Sequence, residues 1–156
     1  MTLRIDVQVG VTRSGLPEVA KLRHWARAAL AGRRREAELS IRIVDAAESR
    51  ALTRRYRAKD KPTNVLAFPA ELPPELELPL LGDLVICREV VEAEAAAQAK
   101  PLNAHWAHMV VHGTLHLVGY DHETAGEAAT MESLEAEILA GLGWPDPYGE
   151  REGNDD

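Results

Sequence analysis

The sequence predicts one α/β domain of the α+β type, a small mixed sheet of about four strands with packed helices. Three observations point there. At 156 residues, with 46% apolar and 28% charged, the chain has the size and composition of one domain that buries its own core. Segments with a period of two are interleaved with segments of helical period. Their order does not alternate strictly, and no repeat or linker divides them. One domain is therefore expected over residues 1–148, followed by a polar tail at 149–156.

Leu3, Ile5, Val7 and Val9 alternate with polar residues, which predicts a half-buried strand over 3–11. Ser14-Gly15 breaks it. Pro17 suits the first turn of a helix running to about Leu30, and Gly32 offers its C-terminal stop. Leu39, Ile41 and Ile43 alternate again as a second strand. Asp45 then caps a helix over about 46–57, which ends in a basic run. Asn64–Phe68 is a short apolar strand closed by Pro69, and the Pro- and Glu-rich stretch to Leu80 reads as an exposed loop. Leu81–Cys87 is a further strand and Glu89–Ala99 a helix. Pro101 opens another helix through about Leu117, stopped at Gly119. In the last helix, about 125–141, Met131, Leu134, Ile138 and Leu142 recur at helical spacing and form the inward stripe. From Pro145 the chain is polar and expected to fray.

Aromatic residues are only 4%, so aliphatic side chains must fill the core. The single cysteine, Cys87, excludes an internal disulfide and fits a reducing compartment. Its apolar surroundings mark it as a core thiol rather than a ligand. The N-terminus lacks the h-region of a signal peptide, and no apolar stretch approaches the ~20 residues of a membrane span. A soluble, cytoplasmic protein is expected. The net charge of -7 is distributed unevenly: residues 1–61 carry 15 Lys and Arg against 7 Asp and Glu, and residues 62–156 carry 3 against 18. Such a split fits one positive face on an acidic body. It equally fits solvated helix faces that happen to segregate.

The informative segment is HGTLHLVGYDH, residues 112–122. On a helix of ~3.6 residues per turn, His112 and His116 lie one above the other. Gly119 can take the conformation that ends the helix and turns the chain, which returns His122 as a third nitrogen. Three neutral imidazoles and a water are a common catalytic zinc arrangement, and the pKa of that water falls towards ~7. A lone H-x-x-x-H is a weak signal. The full string, with Gly where the turn is needed, is much stronger. Metzincin proteases share this spacing but carry Glu directly after the first His, where it accepts a proton from the water. Here that position is Gly113, so a peptidase mechanism of that kind is disfavoured. His105 and His108 precede the string on the same helix and read as helix-face or ligand-orienting residues. Asp121 can orient a ligand histidine, accept a proton or fix the turn; orientation is the favoured reading.

These residues, with YRAKDKPTNVLAFP (56–69) and LLGDLVIC (80–87), closely resemble the YbeY family of bacterial metal-dependent endoribonucleases. The resemblance covers roughly residues 3–148, with the three motifs in the expected order. It implies a compact α/β fold with one zinc per chain at the end of a cleft. It also implies cleavage of single-stranded RNA, maturation of the 3′ end of small-subunit ribosomal RNA, and ribosome quality control. The partners implied are ribosomal RNA, the small ribosomal subunit and its associated factors, with no membrane. The arginine matching Arg57 is functionally important in the family. From the residues themselves, Arg54, Arg55, Arg57, Lys59 and Lys61 form a basic segment suited to phosphates, and guanidinium groups can steady charge in phosphoryl transfer. Arg33, Arg34 and Arg35 read as solvated.

The expected mechanism lays RNA across a cleft with the 50–61 segment on one wall, His112 at the metal and Arg57 at the scissile phosphate. The base is open between Asp121, a metal-derived hydroxide and the RNA 2′-hydroxyl. Two alternatives stand beside it: a ribosome-assembly factor with a structural metal, which needs a fourth protein ligand such as Cys87 or His108, and a metal hydrolase of a non-RNA substrate.

Overall fold

A computed structural model describes residues 2–57, 63–76 and 78–148, with the backbone alone at 56, 57 and 74. The elements are β1 (Thr2–Val9), α1 (Val19–Leu30), β2 (Glu36–Val44), α2 (Ala46–Arg57), β3 (Val65–Pro69), β4 (Leu80–Cys87), α3 (Arg88–Ala97), α4 (Leu102–Val118) and α5 (Ala125–Gly141). A single 3-10 turn, Pro74–Leu76, interrupts the loop expected between β3 and β4. Local chemistry explains several ends. Asp45 Oδ1 accepts from the Glu48 N–H at 2.9 Å and caps α2. Thr124 and Glu127 exchange hydrogen bonds in a capping box that starts α5. Gly32 and Gly119 follow α1 and α4 at φ 78° and 122°, conformations that cost an L side chain steric energy.

The four strands run in the order β1-β2-β4-β3. β1 pairs with β2, and β2 with β4, in parallel; β3 lies antiparallel to β4 at one edge. Parallel neighbours require a crossover, which α1 supplies between β1 and β2. Between Glu38 and Leu39 the β2–β4 register shifts, because Leu80 pairs with Glu38 and Gly82 with Leu39. Gly82 sits at this bulge with φ 139°, and a Cβ there would lie 2.1 Å from the Phe68 carbonyl oxygen.

Alternation along the strands divides the sheet into two unlike faces. Leu39, Ile41, Ile43, Leu84 and Ile86 join the main core with Leu22 and Trp25 of α1, Trp106 and Val110 of α4, and Met131 and Leu139 of α5. Val44, Leu66 and Val85 point the other way and form a smaller cluster under Leu52 of α2 and Phe68. The core is mainly aliphatic, but Trp25 and Trp106 are inside it. Cys87 is fully buried, and burial pushes its thiol up, as fits a core thiol. The central piece is α4, buried on nearly every side by the sheet, α1, α3 and α5. At Gly113 it comes so close to the sheet that a Cβ would meet Leu84 Cδ2 at 2.8 Å and Val65 Cγ2 at 3.2 Å. No helix among the described residues is long and apolar enough to cross a membrane.

Gly82→Ala should cost about 2 kcal/mol, because the backbone would have to move off Phe68 and hold a strained φ. Thermal denaturation should show Tm lowered by about 4–8 °C. An unchanged Tm would mean that the bulge relaxes without cost.

Candidate metal centre

The site forms where α4 ends. His112 and His116 are one turn apart, with ring centroids at 4.8 Å. Gly119 N–H donates back to the carbonyls of Leu115 and His116, and Tyr120 N–H also donates to Leu115, closing the helix as a left-handed stop does. The returning chain is pinned by Asp121, whose Oδ1 accepts from the His122 N–H at 2.7 Å. Of the readings open for Asp121, this contact corresponds to fixing the turn. The His122 ring then lies 5.5 Å from that of His112 and 4.9 Å from that of His116. One ligand atom from each of the three lies within 4.8 Å of the others.

This trio suits a cation of the zinc type. His116 has its pKa lowered, first by burial and then by the neighbouring charges of His112 and His122, with Asp121 and Glu135 opposing. It is thus held in the neutral form that donates a lone pair. Imidazole nitrogens suit zinc, copper, iron and nickel. Among the described residues, no fourth His, Cys, Asp or Glu joins the group.

Behind the trio stands a residue the sequence reading missed. Glu135 of α5 is fully buried. Its Oε2 accepts from His112 Nδ1 at 2.5 Å, and its Oε1 accepts from His108 Nε2 at 2.8 Å and from the Tyr148 hydroxyl. Burial alone would push this carboxyl up. The hydrogen bonds from His108 and His112, the nearby His112 charge and the Tyr148 hydrogen bond outweigh it and bring the pKa down to about 2. The signal was present: Glu135 falls four residues after Met131 and three before Ile138, on the apolar stripe of α5. The inward residues are Met131, Glu135, Ile138 and Leu139, whereas Leu134 and Leu142 are only partly buried. Residues 145–148 do not fray, contrary to expectation, since Tyr148 packs its ring edge-on to His108 at 5.4 Å. The buried carboxylate holds that segment by its need for donors. The expected polar tail at 149–156 lies outside the described residues.

A second polar cluster lies further up α4. His105 Nε2 meets Glu94 Oε1 at 2.8 Å, and Asn64 Nδ2 donates to the same carboxylate at 3.2 Å. Asn64 thereby ties the start of β3 to α3 and α4. Ser49 exchanges hydrogen bonds with the Thr63 backbone alongside.

The basic residues are placed differently from the histidines. Arg54 and Arg55 are exposed on α2, which covers the smaller cluster on the sheet face turned away from α4. Arg57 closes α2, but its side chain lies outside the described residues, as do Lys59 and Lys61. A cleft of about 720 Å³ between Arg34, Arg35, Pro69 and Leu80 extends to Leu117, the residue after His116. Gly113 explains the missing glutamate: its Cα faces Leu84 and Val65, so a carboxylate there would enter the core.

With the geometry described, comparison with known proteins gives two findings. The family model described as Endoribonuclease YbeY matches residues 13–143. The solution structure of TM1509 from Thermotoga maritima has the same fold, with a TM-score of 0.59 at 21% identity over 99% of this chain and 97% of that one.

One pH effect follows from the second cluster. Burial lowers the His105 pKa; Glu94 opposes this, while His108 and Lys100 add to it. The folded state therefore binds this proton less readily than the unfolded chain does. The stability it contributes is present above the unfolded value of about 6.5 and is lost as pH falls through the lower folded value. Denaturant unfolding of metal-free protein should show stability declining below pH 6.5. The decline should be shallower in His105→Gln, and identical slopes would remove His105 from the account.

Proposed function

Because the chain belongs to the YbeY endoribonuclease family, we propose that it cleaves single-stranded RNA with one zinc ion held by His112, His116 and His122. Within ribosomal RNA maturation, we assign it to the 3′ end of the small-subunit RNA and to ribosome quality control. The small subunit and its factors are then its partners and the cytoplasm its place of action. The observation that carries the zinc reading is the convergence of three imidazoles at the end of a buried helix. A bound zinc ion supplies Lewis-acid polarisation of a phosphate oxygen and of water.

The chain's own residues do the rest. His112, His116 and His122 offer neutral nitrogens, and Asp121 holds the turn that brings in His122. Arg57 meets the scissile phosphate and stabilises its added negative charge. Arg54, Arg55, Lys59 and Lys61 bind flanking phosphates, a sequence-independent attraction that weakens with salt. In this reading Arg57, at the C-terminal end of α2, and the three histidines meet one phosphate, while the rest of α2, packed on the other sheet face through Leu52, meets flanking RNA. A trio without a fourth protein ligand among the described residues supports an open, catalytic site over a closed structural one. The packing at Gly113, which leaves no room for a metzincin-type glutamate, weighs against a peptidase of that kind.

Protein purified without a histidine tag and reconstituted should hold about one zinc per chain by metal analysis. Less than about a tenth of an ion would remove the zinc reading. Zinc-loaded protein should cut a single-stranded ribosomal RNA fragment. His112→Ala and Arg57→Glu, both folded by circular dichroism, should each lose about 100-fold or more in rate. Equal cutting by all three would assign the activity to a contaminant and leave an assembly role as the better reading.

A further inference from the structure

Glu135 has no assigned part in the chemistry above, yet it is a fully buried charged side chain beside the site where α4, α5 and the C-terminal segment meet through hydrogen bonds. A carboxylate only accepts hydrogen bonds. The atoms facing it must therefore carry protons, so His112 presents Nδ1–H to Oε2. In a neutral ring, the lone pair is then on Nε2, the nitrogen at the opposite end. His108 presents Nε2–H to Oε1, and its Nδ1 has no partner among the described residues, which suits a bare lone pair better than a second buried N–H. Tyr148 adds its hydroxyl to the same Oε1. Both oxygens are engaged, which locks the carboxylate in rotation as well as position.

Direct ligation by Glu135 fits less well. Two ligands ~2.0–2.1 Å from a tetrahedral zinc stand about 3.3 Å apart. The Glu135 oxygens are 2.5 and 2.8 Å from the His112 and His108 nitrogens, which are hydrogen-bond lengths.

We propose that Glu135 is a positioning residue of the metal centre: it holds His112 as the Nδ1–H tautomer, with the Nε2 lone pair turned to His116 and His122. Tyr148 makes the C-terminal segment part of that device by bonding the same carboxylate. The proposal rests on the metal reading only for its consequence; the tautomer itself belongs to the metal-free protein. Histidine ligands oriented in this way through their second nitrogen bind metal more tightly than unoriented ones.

The test uses full-length protein at neutral pH, as wild type, Glu135→Gln, Tyr148→Phe and His122→Ala. Long-range proton–nitrogen NMR reads the His112 tautomer without metal, and chelator competition reads zinc affinity. Wild type should show His112 protonated at Nδ1. Glu135→Gln should lose or mix that tautomer and bind zinc about 10–100-fold more weakly. Tyr148→Phe should weaken zinc by about 2- to 10-fold, the worth of one hydrogen bond, with the tautomer kept. His122→Ala should lose zinc affinity with the tautomer kept, which separates loss of a ligand from loss of orientation. His112 protonated at Nε2 in the wild type overturns the proposal, as does wild-type zinc affinity in folded Glu135→Gln. If Glu135→Gln does not fold, the wild-type tautomer and Tyr148→Phe decide: an unchanged zinc affinity in the latter removes the C-terminal segment from the device. Failure of wild type to bind zinc would overturn the metal reading alone, since the metal-free tautomer still tests Glu135.

Discussion

Burial of α4 is the constraint on which the rest of this structure depends. The helix runs through the middle of the molecule, enclosed by the sheet, α1, α3 and α5, and it carries four histidines along its length. Imidazoles taken out of water need partners. Each one therefore dictates something elsewhere: Glu94 on α3 for His105, and Glu135 on α5 for His108 and His112. His116, whose burial keeps it neutral, has its ring beside those of His112 and His122 instead. Placing α3 and α5 is thus as much a matter of supplying carboxylates to α4 as of covering apolar surface.

The same burial governs what α4 can present. Gly113 lets the helix approach Leu84 and Val65 closely. A side chain at 113 would be felt in the core rather than at the site, so the position that holds a glutamate in metzincins is committed to packing here.

The two faces of the sheet separate the roles. Its apolar face is spent on α1 and α4, and its other face is only partly covered, through Leu52 of α2. The helices α2 and α4 consequently pack on opposite sides, with β3 at the edge of the sheet. Asn64, at the start of that strand, is bonded to Glu94 and fixes the edge against α3 and α4.

Much of this was legible in the residues. Alternation at Leu39, Ile41 and Ile43, the cap at Asp45 and the stop at Gly119 are local signals, because strand period, side-chain capping and positive φ act within a few residues of the chain. The histidine string was readable for the same reason: one helical turn and one glycine turn bring its three rings together. Strand order, the antiparallel placement of β3 and the position of α2 across the sheet were not readable, since each depends on pairing and packing between distant segments. Glu135 shows the limit most clearly. In sequence it is one acid among several on α5, and its place on the apolar stripe reads as an exception. Only the fold brings His108, His112 and Tyr148 to it, and a buried carboxylate acquires its role from donors supplied by other elements. The sequence by itself determined the local elements and the three converging histidines; the tertiary structure decided what orients them, because the orienting contacts span 13 to 27 residues of chain.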